Sequence, residues 1–134
     1  MLERDADLLI ETIVERLDAK QRLFVDLAAL VAPAAVLASN TSSLSTTAIA
    51  AGLAHPTRSI GLYFFNPVPA RKLIEIVLGE QTEPSLFEAM AELMRGWNEH
   101  PVTVRDVPGF IVNRVARPFN AEAFDAKPSV RLWS

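Results

Sequence analysis

A chain of 134 residues, half of them hydrophobic, can bury one core and fits a single domain or a large piece of one; its composition is not that of a disordered segment. The formal net charge of −3, with basic residues scattered rather than clustered, gives no general attraction for nucleic acid or an anionic membrane. The absence of cysteine excludes disulfides, thiol catalysis and cysteine-ligated metal, in keeping with a reducing compartment.

The start "MLERDADLLIE" lacks a basic stretch, an apolar stretch and a small-residue cleavage site, so it does not read as a secretory signal. "ADLLIETIVE" (6–15) opens with a compact apolar run and reads as a buried strand. In "ERLDAKQRLFVDLAALV", Leu17, Leu23, Phe24, Leu27, Leu30 and Val31 recur at helical spacing with charge on the other face. Asp26 and Pro33 break the longest apolar window, which falls short of the about 20 residues needed to span a bilayer. The expected setting is the cytoplasm. Pro33 closes the helix, and "AVLAS" (35–39) follows as a second strand.

"NTSSLSTTAIAAGL" is a polar run that turns into a helix ending near Gly52. "RSIGLYFFN" (58–66) and "KLIEIVLG" (72–79) read as two further strands. "EPSLFEAMAELMRGWNE" (83–99) carries Leu86, Phe87, Met90, Leu93, Met94 and Trp97 at helical spacing, and "PVTVRD" (101–106) is a fifth strand whose Pro101 is tolerated only at its start. "PGFIVNRVARPFNAEAF" begins another helix. His55 and His100, the two imidazoles of the chain, each precede a proline and read as loop residues rather than metal ligands, so no metal site is expected. Short apolar strands alternating with amphipathic helices predict an α/β fold, a mainly parallel sheet with flanking helices. Such sheets bind ligands at the carboxyl ends of their strands, which directs attention to the polar loops after Glu11, Ser39 and Phe65.

Three stretches, "ASNTSSLS" (38–45), "GLYFFNPVPARKLIEIV" (61–77) and "VRDVPGFIVNRV" (104–115), resemble in order and spacing the 3-hydroxyacyl-CoA dehydrogenase family, as does "IETIVERLDAKQRLF" (10–24). The wording of "GFIVNRVARPF" is similar to bacterial members associated with aromatic-acid degradation and hydroxybutyryl-CoA oxidation. The resemblance implies a partial Rossmann-type NAD-binding domain over 1–107 and the beginning of a helical domain, with an atypical tail, over 108–134. It also implies an NAD cofactor and oxidation of the 3-hydroxyl of an acyl-CoA substrate. By position, Glu15, Lys20, Ser42 and Asn66 match cofactor-contacting residues. Ser42 also matches a serine near the substrate hydroxyl, Glu75 the carboxylate that orients a catalytic histidine, and Asn113 an active-site asparagine. An alcohol losing hydride needs a base for its proton, and the base needs an orienting partner.

Two departures set this chain apart from the family pattern. Tyr63 stands where the family places its catalytic histidine. An unperturbed phenol titrates near pH 10 against about 6.5 for imidazole, so making a phenolate at neutral pH costs roughly 4 kcal/mol, and a facing carboxylate opposes it further. Tyr63 is therefore expected to stay neutral and donate a hydrogen bond to Glu75, or to act as the acid in the ketone-reducing direction. The five glycines, Gly52, Gly61, Gly79, Gly96 and Gly109, form no G-x-G-x-x-G loop for a dinucleotide pyrophosphate. The chain reads as a central fragment of a dehydrogenase, impaired in isolation. With the run "LLIETIV" left as an uncovered sheet edge, it is expected to form a homo-oligomer, a dimer in the simplest case. The alternative is a non-catalytic oligomeric remnant or interaction module.

Overall fold

A computed structural model describes residues 5–65, 70 and 72–107. The expectations for Asn66, Asn113 and the 108–134 segment lie outside these residues. In chain order the elements are β1 (Leu8–Glu11), α1 (Leu17–Leu30), β2 (Val36–Ser39), α2 (Thr46–Ile49), β3 (Ser59–Phe64), β4 (Leu73–Leu78), α3 (Ser85–Gly96) and β5 (His100–Arg105). Two 3-10 turns, Ala50–Gly52 and Pro56–Arg58, link α2 to β3.

The strands form one sheet in the order β1-β2-β3-β4-β5. The pairs β1–β2, β2–β3 and β4–β5 are parallel, while β3–β4 is antiparallel. The expected mainly parallel α/β sheet is what forms. The antiparallel pair follows from the separation of its strands: β3 ends at Phe64 and β4 begins at Leu73, too close in sequence for the crossover that a parallel pair requires.

Alternation along each strand divides the sheet into two faces. Val36, Ala38, Ile60, Leu62, Ile74 and Ile76 pack against Leu86, Met90, Ala91 and Met94 of α3. The opposite face carries Leu37 against Phe24 of α1 and Ile49 of α2, and farther along Val77 and Val104 with Tyr63 packed on them. Each large aliphatic side chain fully buried here is worth about 1.5–3 kcal/mol of transfer free energy. Gly61 lets α2 close on the sheet, since a Cβ there would lie 2.7 Å from Thr46 Oγ1 and 2.8 Å from Val77 Cβ.

The polar run 40–45 turns into a helix at Thr46, and the helical stretch ends at Gly52, as expected; Thr41 Oγ1 accepts the N–H groups of Leu44 at 3.0 Å and Ser43 at 3.4 Å and holds them in a loop. Two expectations are corrected. The first strand ends at Glu11 rather than continuing to residue 15, because the Glu11 carboxylate accepts the Ile13 N–H at 2.9 Å and turns the chain; Val14 is left 62% exposed. Trp97 is not a core residue of α3. The helix ends at Gly96, Asn98 takes a left-handed φ of 63°, and the Glu99 N–H returns to Met94 O at 2.9 Å, leaving Trp97 49% exposed at the cap.

Candidate functional site

Strands β1, β2 and β3 run the same way, so their carboxyl ends lie at one end of the sheet. The turn from Thr12 to Arg16 and the loop from Asn40 to Ser45 are joined there by side chains. Glu15 Oε1 accepts from Thr41 Oγ1 at 2.5 Å, and Glu15 Oε2 accepts from the Ser42 N–H at 3.1 Å and Ser42 Oγ at 3.2 Å. Glu15 and Ser42, two of the residues singled out from the sequence and 27 positions apart, are thus in direct contact. Asn40 ties the same loop to the end of β3, its Oδ1 accepting from the Phe64 N–H at 3.0 Å.

Lys20 sits beneath this cluster rather than on its surface. Its ammonium donates to both oxygens of Glu11, at 2.7 and 2.8 Å, and to the Ile13 carbonyl at 3.3 Å, with both partners of the ion pair essentially inaccessible. Those three bonds occupy the three donors of an ammonium. Ser39 Oγ also donates to Glu11 Oε1. Burying this pair is tolerable because each charge faces its opposite and the remaining oxygen lone pairs are filled.

Tyr63 and Glu75 are direct cross-strand partners in the antiparallel β3–β4 pair. Such partners share a face with Cβ atoms about 5 Å apart. The Tyr63 ring stands edge-on to Phe65, with centroids 4.6 Å apart, and Glu75 is wholly buried. The register therefore sets the phenol opposite the carboxylate, at the end of β3 that also receives the Asn40 bond.

A third carboxylate fixes the far side of the serine loop. Asp106, just after β5, accepts from Ser45 Oγ at 2.8 Å, the Thr46 N–H at 2.8 Å and the Thr47 N–H at 2.7 Å, while Ser45 Oγ accepts the Ala48 N–H at 3.1 Å. The loop bearing Ser42 is thus clamped at its start by Glu15 and at its end by Asp106. His55 precedes a 3-10 turn and His100 opens β5 in an exposed position. Among the described residues no group of three or more His, Cys, Asp or Glu side chains could hold a metal ion, and no helix is long and apolar enough to cross a membrane.

The sequence reading missed Glu11, Ser39, Asn40, Thr41 and Asp106. One signal was available for the buried pair: Lys20 falls three residues after Leu17 and four before Phe24, on the apolar stripe of α1. Nothing local announces Asp106, whose partners are 59 to 61 residues away.

Hydroxyl groups and the Glu15 carboxylate are gathered at the carboxyl ends of parallel strands, where sheets of this kind receive their ligands. The pyrophosphate side needs a glycine-rich turn, and the five glycines of the chain do not form one.

Residues 1–107 match the family model described as the NAD-binding domain of 3-hydroxyacyl-CoA dehydrogenase. The chain is 50% identical over 121 residues to 3-hydroxyadipyl-CoA dehydrogenase of Escherichia coli K12, covering 90% of this chain and 26% of that protein. It is 44% identical over 117 residues to human mitochondrial hydroxyacyl-coenzyme A dehydrogenase, covering 87% and 37% of the two chains. A crystal structure of 3-hydroxybutyryl-CoA dehydrogenase from E. coli K12 superposes with a TM-score of 0.88 at 49% identity, over 92% of this chain and 26% of that one. The chain therefore spans well under half the length of these relatives. The order and spacing of its motifs, the sheet they build and the match over residues 1–107 establish that the chain belongs to the 3-hydroxyacyl-CoA dehydrogenase NAD-binding domain family.

Proposed function

We propose that residues 1–107 supply part of the dinucleotide site of an NAD-dependent dehydrogenase acting on the 3-hydroxyl of an acyl-CoA, with 108–134 taken by resemblance as the beginning of a helical domain and an atypical tail, and that the chain by itself is a poor catalyst. When bound, NAD supplies the hydride acceptor. Glu15 and Ser42 line the cofactor side, the Ser42 hydroxyl holds the substrate oxygen, and Asn66 and Asn113 complete the polar lining by resemblance. Lys20, whose three donors are taken by Glu11 and the Ile13 carbonyl, serves this side from below by holding the turn that carries Glu15 rather than by touching the cofactor.

The observation that carries this reading is the register that sets Tyr63 opposite Glu75. An imidazole on that strand position would have an orienting carboxylate beside it; a phenol offers the carboxylate a hydrogen-bond donor rather than a base, so the hydroxyl proton of an alcohol has no ready acceptor. In the reverse direction the phenol is a usable proton donor. Two measurements test the proposal. Calorimetric titration with NADH is expected to show weak binding that falls further in Glu15→Gln and Ser42→Ala; binding indifferent to both would remove these residues from the cofactor site. Nicotinamide absorbance with acetoacetyl-CoA is expected to stay near background and to gain nothing in Tyr63→His, because the phosphate loop is limiting. Fast turnover that vanishes in Glu75→Gln would overturn the impaired-catalyst half of the proposal.

A second reading, a non-catalytic oligomeric remnant, is favoured by β1, which among the described residues pairs with β2 alone and stands at the sheet edge beside the exposed Ile13 and Val14. It predicts a dimer in light scattering at micromolar concentration. A monomer at all concentrations would dispose of it.

A further inference from the structure

Between Glu11 and Glu15 the chain has little to hold it. Ile13 is 41% and Val14 62% exposed, so no apolar packing fixes the turn, and the backbone contributes an Arg16 N–H to Val14 O bond at 2.7 Å. Yet Glu15 must be placed closely enough to accept from both Thr41 and Ser42. What fixes the turn is an ion pair below it. Both peptide groups of Ile13 are bonded to that pair: the N–H donates to Glu11 Oε2 at 2.9 Å and the carbonyl accepts from Lys20 Nζ at 3.3 Å. The Glu11 carboxylate is itself held by Lys20 and Ser39, and the Glu11 carbonyl accepts the Asn40 N–H at 2.9 Å. One residue thus touches the end of β1, the first turns of α1 and the end of β2.

We infer that Glu11 is a positioning residue: its buried carboxylate, fixed by Lys20 and Ser39, holds the Ile13 peptide so that Glu15 reaches the Ser42 loop. The inference rests on the reading of Glu15 and Ser42 as the cofactor side, since that is what gives their alignment a purpose. A carboxylate suits the task because it accepts four bonds at once, two from an ammonium, one from a hydroxyl and one from an amide. Glutamine cannot replace it, because its NH2 group would confront one of those donors.

The test uses amide hydrogen exchange and contains no nucleotide, so its outcome is independent of whether the chain binds NAD. In Glu11→Gln the amides of Ile13 and Ser42 are expected to exchange about tenfold faster than in the parent. The control is Ile76→Val, which weakens the fold from the opposite face of the sheet and is expected to leave those two amides within about twofold of the parent. Should Glu11→Gln fail to fold, the pair Glu11→Leu with Lys20→Met, which removes both charges together, is read against the same control. Unchanged exchange at Ile13 and Ser42 in the Glu11 variant would overturn the inference. Equal acceleration in the Ile76→Val control would overturn it too, since the effect would then be a general loosening of the fold.

Discussion

The two faces of this sheet are held by different physics. On the α3 face Val36, Ala38, Ile60, Leu62, Ile74 and Ile76 meet Leu86, Met90, Ala91 and Met94. On the other face, towards the ends of β1 and β2, the buried set includes Glu11, Lys20, Ser39 and Thr41, all with hydrogen-bond partners. Burial alone organises the first region, and many pairings of aliphatic side chains would serve it. The second is organised by direction: each bond requires a particular donor and acceptor, so the turn and loop it joins have one arrangement. The candidate site lies where geometry is fixed by direction, and the aliphatic core where it is fixed by burial.

The largest expected effect breaks the apolar side of this contrast. Ile76 is wholly buried in β4 between two strands and beneath α3, so Ile76→Ala should cost about 3 kcal/mol, read from the urea midpoint. The loss should fall on the whole fold, with the relative exchange of Ser42 and the other loop amides preserved. A loss confined to the serine loop would mean that the two faces are not separable.

Next comes Gly61, where the polar side depends on close approach. A methyl group there would meet Thr46 Oγ1 and Val77 Cβ inside contact distance, and Val77 is on the neighbouring central strand and cannot retreat. Gly61→Ala should cost about 2 kcal/mol and push α2 off the sheet, visible as shifted amide resonances for Thr46 and Thr47. Unshifted resonances would show that the space is not needed.

A smaller effect is expected at Asp106, which caps the serine loop from the end of β5. Asp106→Asn keeps one acceptor oxygen but sets an NH2 group against the remaining donors among Ser45 Oγ and the Thr46 and Thr47 N–H groups. The expected cost is about 1.5 kcal/mol, with faster exchange at Thr47 and little change on the α3 face. An effect as large as that of Ile76→Ala would erase the distinction between the regions.

How much of this was legible in the sequence follows from the same division. The five strands, α1 and α3, and the α3 face were readable because hydrophobic period is local: Leu86, Met90 and Met94 announce their face within a few turns. The end of β1 at Glu11 was not, because a side chain that captures a nearby N–H group overrode the apolar pattern. In the site, motif resemblance pointed to Glu15 and Ser42, which do meet, and to Tyr63 and Glu75, which are in register. It could not show that Lys20 is buried under the turn, nor that Asp106 reaches back some 60 residues, since both facts depend on tertiary proximity.

The smallest prediction sharpens the contrast by moving the same chemistry into solvent. Asp18, in the first turn of α1, pairs with Arg16 at 2.8 Å and Arg22 at 2.8 Å, but the partners are 64% and 76% exposed, whereas Lys20 and Glu11 are at 1% and 2%. Burial pushes the Asp18 carboxyl up, and the charge of Arg16, the hydrogen bond from Arg22, the Ala19 N–H and the charge of Arg22 together pull it down by more, leaving it below its ordinary value. A depressed carboxyl contributes stability that is fully present above its unfolded value and is lost as pH falls through the folded one. Exposure and salt screen most of that contribution. Asp18→Asn should therefore lower the urea midpoint only slightly at neutral pH, and the gap from the parent should close as pH falls through the carboxylate range or as salt is raised. A gap that widens at low pH would have the wrong sign for an exposed, depressed carboxylate. One that rivals the loss from breaking the Glu11–Lys20 pair would mean that burial is not what makes an ion pair decisive in this fold.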